Sequence, residues 1–183
     1  MHSMTLVSSA TSNLNAREAG LLKRVGSSAR RSTALVLAQR FARDATEVWA
    51  SLVEPIACGR RFYRLYSDHL YEVWLIGWSP GVCLPLHDHG GVSGAIYVVH
   101  GALDERFGSL PFNGQTLRRR ALARGEGHAL DTQHVHEVTN TGNVTAYSIH
   151  AYTPRLRLMN GYVVDEAQGT LARNGLVEHT EWL

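Results

Sequence analysis

The chain has 183 residues, with 10 His and 2 Cys, and its 18 Lys and Arg nearly cancel 16 Asp and Glu. That length suits one domain with an ordinary core, and two cysteines exclude a disulfide-stapled mini-protein. No apolar run reaches the ~18–20 residues of a membrane span, and a net charge of +2 is too small for a dedicated nucleic-acid binder.

Residues 1–32 are rich in Ser, Ala, Asn and Arg and are expected to form a loosely ordered tail. "MHSMTLVSSA" lacks the uninterrupted apolar core of a secretory leader, and Glu18 counts against a transit peptide. A cytoplasmic protein with reduced Cys58 and Cys83 is therefore expected. From Ser32 the pattern turns helical. Ser32 and Thr33 can cap, and Leu37, Phe41, Ala45, Val48 and Leu52 recur at three- and four-residue steps. Pro55 stops this helix, predicted over about 33–53.

After Arg60 the chain reads as short strands. "RFYRLYS", "YEVWLIGW", "SGAIYVVHG", "LDERFG", "TLRRRALA", "HEVTN", "TAYSIHAY" and "RLRLMNGYVV" are rich in β-branched and aromatic residues. Turn residues punctuate them, as at Ser79-Pro80-Gly81, Gly90-Gly91 and Asn113-Gly114. The expected fold is all-β with an added N-terminal helix, and residues 33–183 form one domain.

Histidine is arranged rather than scattered. His87 and His89 stand at i and i+2, so in a strand both imidazoles share a face while Asp88 turns away. His134 and His136 repeat the spacing, as do His150 and Tyr152. Antiparallel strands closing a barrel would bring these faces together. Gly81, His87, His89 and Gly101 fit the first cupin motif, G-x5-H-x-H-x3,4-E-x6-G, but its glutamate falls on Gly94. His136 and Asn140 fit the H-x3-N end of the second, with Asp131 and Gln133 where Pro and Gly are expected. A small, jelly-roll-like cupin barrel is the implied architecture. Without the glutamate, His87, His89 and His136 remain as three neutral ligands. Such a site keeps the full charge of a divalent metal and favours an anionic ligand such as a thiolate. With one open position it would instead resemble a hydrolytic zinc site.

At this point the sequence resembles the cysteine dioxygenase family, bacterial members in particular, over roughly residues 60–155. The resemblance rests on "RFYRLYS", "EVWLIGWSPGVCLPLHDHGGVSGAIYVVHGAL" and "HEVTNTGNVTAYSIHAYTP". It implies Fe(II) on His87, His89 and His136, and an outer pair, His150 and Tyr152, followed by Pro154. It assigns the substrate carboxylate to Arg64, with Arg61 as the alternative. The implied reaction oxidises L-cysteine with O2 to cysteine sulfinate. Animal members join a cysteine to the tyrosine by a thioether; that position is Gly94 here, so no Cys–Tyr crosslink is expected. The substrates 3-mercaptopropionate and cysteamine are rivals. Another cupin oxygenation or isomerisation, or a non-catalytic cupin binding a metal or small ligand, is the wider alternative. A monomer with no nucleic-acid or membrane partner is expected. His134 faces the same side as His136 and reads as a surface neighbour, and His69, His100, His128 and His179 read as surface or turn residues. Arg118, Arg119 and Arg120 read as a solvated strand, and Trp74 and Trp78 as packing.

Overall fold

A computed structural model describes residues 15–28, 33–112, 116–165 and 168–177. Among these residues, three helices precede eleven strands. The helices are α1 (Ala16–Ser28), α2 (Ala34–Asp44) and α3 (Thr46–Ser51). The strands are β1 (Arg60–Ser67), β2 (Glu72–Trp78), β3 (Cys83–His87), β4 (Ser93–His100), β5 (Ala102–Ser109), β6 (Arg118–Ala123), β7 (Gly127–Leu130), β8 (His134–Thr139), β9 (Ala146–Thr153), β10 (Met159–Asp165) and β11 (Thr170–Val177). They form a sheet of order β1-β2-β9-β4-β7 and a second of order β11-β10-β3-β8-β5-β6. Every observed pairing is antiparallel. This is the expected cupin architecture, mostly β with short helices before it.

The N-terminal region differs from its expectation. Within the segment read as a loose tail, α1 is a helix, and Leu22 and Val25 are buried in the core. Its start is a reciprocal cap: Asn15 Oδ1 accepts from the Glu18 amide at 3.0 Å, and Glu18 Oε2 accepts from the Asn15 amide at 2.9 Å. Residues 1–14 and 29–32 of the expected tail lie outside the described residues. The single helix expected over about 33–53 is interrupted at Ala45. There the Ala42 carbonyl accepts the Thr46 hydroxyl at 2.7 Å and Trp49 Nε1 at 2.9 Å. Side-chain donors thus compete for a helical acceptor, which loosens the turn. Thr33 caps α2 as expected, its hydroxyl accepting from the Val36 amide.

Two apolar cores lie on opposite faces of the five-stranded sheet. Leu37, Phe41 and Val48 of the helices meet Tyr63, Leu65, Val73, Leu75, Ile149 and Ala151 on its outer face. Phe62, Trp74, Ile76, Trp78, Ile96, Leu103, Leu122 and Val138 fill the barrel interior. Burial on both faces explains why β2 reads as a nearly continuous apolar run. On β9 the inward positions are Ser148, His150 and Tyr152. They are polar groups sealed into an otherwise apolar strand.

Phe41 is fully buried where α2 meets the sheet. Phe41→Ala should lower unfolding stability by about 3–5 kcal/mol, read by urea denaturation. A loss below about 1 kcal/mol would mean that the helices contribute little to the barrel's stability.

Candidate metal centre

Two strands and a turn deliver the histidines. His87 closes β3 and sits directly opposite His136 on β8, and His89 follows in the turn. The potential ligand atoms of His87, His89 and His136 all lie within 4.8 Å of one another, and all three residues are buried. Ring centroids are 4.6 Å apart for His87 and His136, 5.0 Å for His89 and His136, and 5.2 Å for His87 and His89.

Hydrogen bonds set which nitrogen is free. His87 Nδ1 lies 2.8 Å from the Pro85 carbonyl oxygen, and His136 Nδ1 lies 2.6 Å from Glu105 Oε1. Both partners only accept, so each Nδ1 carries the proton and each Nε2 keeps its lone pair. Among the described residues neither nitrogen of His89 has a partner, although both are shielded from solvent. An unpaired buried polar group costs about 1–3 kcal/mol, and a metal ion drawing on the imidazole lone pair removes that cost at one of the two nitrogens. The donor set therefore fits a divalent metal. Burial lowers the pKa of all three imidazoles, and neighbouring histidines lower those of His87 and His89 further. Each is neutral near pH 7, as metal ligation requires.

Asp88 turns away from the other two, as its place between them predicts, but it is buried rather than solvated. Its carboxylate accepts from the Gly90 amide at 2.8 Å, Asn160 Nδ2 at 2.9 Å and the Tyr162 hydroxyl at 2.7 Å. Burial opposes its charge, yet these bonds hold its pKa below the usual carboxylate range. Asp88 thereby ties the His87–His89 turn to β10.

A chain of polar side chains approaches from the other sheet. Trp78 Nε1 donates to Ser148 Oγ at 2.9 Å, Ser148 Oγ lies 2.9 Å from His150 Nε2, and His150 Nδ1 lies 3.3 Å from the Tyr152 hydroxyl. The Tyr152 ring centroid is 5.3 Å from that of His89. Burial, then the charges of His136 and Arg60, lower the His150 pKa to about 3. Burial raises the Tyr152 pKa well above its ordinary value, so the hydroxyl keeps its proton. Gly94 pairs with Tyr152 across β4 and β9, and a Cβ at position 94 would lie 2.9 Å from the tyrosine ring. The position that lacks both the cupin glutamate and the crosslinking cysteine therefore abuts this ring. Cys58 and Cys83 are free and exposed.

The three arginines of β1 separate. Arg64 is exposed, its guanidinium carbon 5.7 Å from the Trp74 ring centroid. Arg61 pairs with Glu54. Arg60 is 9% exposed, lies 5.1 Å from the Phe62 ring centroid and 5.6 Å from that of Trp78, and its charge reaches His87, His150 and Tyr152.

Sequence reasoning missed Arg60, Ser148 and the buried Glu105. It also read three polar positions as more exposed than they are. His134 is buried, His128 is half-buried and Arg120 is partly covered, and all three face Glu105. Glu105 is inward because it alternates with Leu103 and Phe107, so an acid on the apolar face of a strand was the available signal. His69 and His100 are exposed as expected, whereas His179 lies outside the described residues. Glu105, His134 and His136 form a second group with ligand atoms within 4.8 Å of one another.

A profile of the cysteine dioxygenase type I family matches residues 34–164. The chain belongs to that family. No curated protein matches the chain. Among solved structures, the TT1209 protein from Thermus thermophilus aligns with a TM-score of 0.50 at 19% identity, covering 58% of this chain and 94% of that one. That likeness bears on the fold alone. An oxalate oxidase in complex with the substrate analogue glycolate aligns with a TM-score of 0.44 at 23% identity over 49% of this chain, which spans 44% of that protein. KdgF from Halomonas sp. aligns with a TM-score of 0.46 at 18% identity, covering 56% of this chain and 84% of that one. Family membership and the three-histidine group make this a metal-site cupin of a dioxygenase family.

The buried neutral histidines link stability to pH. In the unfolded chain an imidazole titrates near 6.5, whereas folded His150 titrates near 3. Between those values the unfolded state binds more protons, so stability is lost as pH falls. The metal-free protein should melt at progressively lower temperature from pH 6.5 toward pH 3. A flat thermal-melt profile across that window would contradict the burial of neutral imidazoles.

Proposed function

We propose that the protein is a thiol dioxygenase that oxidises L-cysteine with O2 to cysteine sulfinate, using Fe(II) held by His87, His89 and His136. One observation carries this reading: three neutral imidazoles converge with no carboxylate among them, beside a protonated tyrosine. Bound Fe(II) would keep its full charge and supply open positions where an anionic thiolate and dioxygen meet. Both oxygen atoms end on sulfur, so the reaction balances without an outside reductant.

The chain's own groups bind and orient. In this reading Trp78 donates to Ser148, Ser148 donates to His150 Nε2, and His150 Nδ1–H donates to the Tyr152 oxygen. The Tyr152 O–H is then left to donate to the substrate carboxylate or to dioxygen. Arg64 pairs with the carboxylate, where a guanidinium fork gives a directional grip. The barrel interior excludes bulk water, which strengthens the contacts from Trp78 through Ser148 and His150 to Tyr152. With Gly at position 94 and both cysteines exposed, Tyr152 works without a thioether. The enzyme is assigned to the cytoplasm as a monomer acting on a small thiol, with no nucleic-acid or membrane partner. Among the described residues, no helix is long and apolar enough to cross a membrane.

The decisive experiment is oxygen uptake after anaerobic Fe(II) loading, with L-cysteine, 3-mercaptopropionate and cysteamine compared. Cysteine should be the best substrate and His89→Ala should abolish uptake. No thiol-dependent uptake by the loaded wild-type protein would overturn the dioxygenase reading. Preference for 3-mercaptopropionate would retain the chemistry and reassign the substrate.

Three variants divide the roles. Arg64→Ala should raise KM for cysteine at least tenfold and leave cysteamine, which has no carboxylate, nearly unaffected. If Arg60→Ala shows that pattern instead, the buried arginine is the carboxylate partner. Tyr152→Phe should lower kcat by roughly 10- to 100-fold with little change in metal content, as loss of one positioned donor predicts.

A further inference from the structure

Glu105 is 1% exposed and sits on β5, opposite Arg120 of β6 and Val138 of β8. Its Oε1 lies 2.6 Å from His136 Nδ1 and 3.0 Å from His134 Nε2. Its Oε2 lies 2.9 Å from Arg120 Nε and 3.2 Å from His128 Nε2. A carboxylate has about four lone-pair sites, and here four nitrogens face them. Arg120 is held in turn over Phe107, 3.6 Å from its ring centroid, and Phe107 stacks on His134 at 5.8 Å. The carboxylate is thus fixed from both sides inside the barrel.

The three candidate ligands are consequently unequal. His87 donates its Nδ1–H to a neutral carbonyl, His89 donates to nothing, and His136 donates to a full anion. A hydrogen bond to an anion is roughly twice as strong as one to a neutral acceptor and pushes electron density toward the far nitrogen. We propose that Glu105 is a positioning residue that locks His136 in its Nδ1–H form and makes its Nε2 the strongest of the three donors to the metal. The negative charge missing from position 94 is returned one bond further out, through an imidazole. Arg120, with its Nε 2.9 Å from Oε2, balances part of that charge.

This inference rests on the three-histidine metal site of the preceding section but on neither its thiol substrate nor its activity. Its test uses Co(II) as the probe, with affinity measured by chelator competition and ligand-field bands by visible absorption. Wild type should bind one equivalent. Glu105→Gln replaces the anion that His136 and His134 meet by a neutral amide, so it should bind about 10- to 100-fold more weakly with shifted bands. Arg120→Met removes a contact to Oε2 and leaves Oε1 on His136 and His134, so it should keep wild-type affinity within about threefold. Melting of each metal-free variant separates these effects from a loss of fold. Nitrogen NMR of the metal-free wild type gives an arm that needs no variant and should show His136 protonated at Nδ1.

Unchanged affinity and spectrum in Glu105→Gln, or a His136 protonated at Nε2, would overturn the proposal while leaving the metal site intact. Equal losses in both variants would reduce the cluster to a structural role and overturn it too. A second Co(II) equivalent, lost in His134→Ala, would make Glu105 a metal ligand in its own right and would also overturn it. Absence of Co(II) binding by wild type would overturn both the metal site and this inference.

Discussion

A buried imidazole must be neutral, and each of its nitrogens must find a partner. That requirement governs this barrel. His87, His89, His136 and His150 are each 3% exposed or less, and their pKa values are all pushed down. Backbone carbonyl, carboxylate and serine each take one nitrogen in three of these rings, while His89 keeps both without a protein partner. What remains is a cluster of inward lone pairs that a divalent cation satisfies. The apolar lining around them makes the demand severe, because it shields them from bulk solvent.

Two polar networks enclose that cluster, one on each sheet. On the helix-covered sheet, Trp78, Ser148, His150 and Tyr152 run along β2 and β9. On the other sheet, Glu105 and Arg120 support His136, while Asp88 braces the turn that carries His87 and His89. The division of labour follows the architecture. One sheet supplies most of the metal-binding side chains with their anionic supports. The facing sheet carries the uncharged Tyr152 hydroxyl on β9 and the arginines of β1.

Much of this was legible in the sequence. The i and i+2 spacing of His87 and His89, the H-x3-N spacing of His136 and Asn140, and the alternation that puts His150 and Tyr152 on one face are all local patterns. The strand-rich region and the apolar face of α2 are equally local. What escaped was non-local or weakly patterned. Glu105 meets groups from β6, β7 and β8, and no single segment shows that convergence. β7 is four residues long, and β11 is largely exposed, so neither has an apolar alternation to read. The helix α1 was hidden because its polar composition outweighed a capping pair and two buried side chains.

Burial of the five-stranded sheet on both faces has a further consequence. β9 lies between β2 and β4, with helices over one side and the barrel interior on the other. Its amides can meet solvent only when the whole cooperative unit opens, so they belong to the slowest hydrogen-exchange class of the molecule. Tyr152 and His150 are therefore mounted on the part of the protein that fluctuates least. His89, in a turn beyond the end of β3, relies on Asp88 and β10 for its order. Amide exchange should therefore be slower along β9 than in the turn that carries His89.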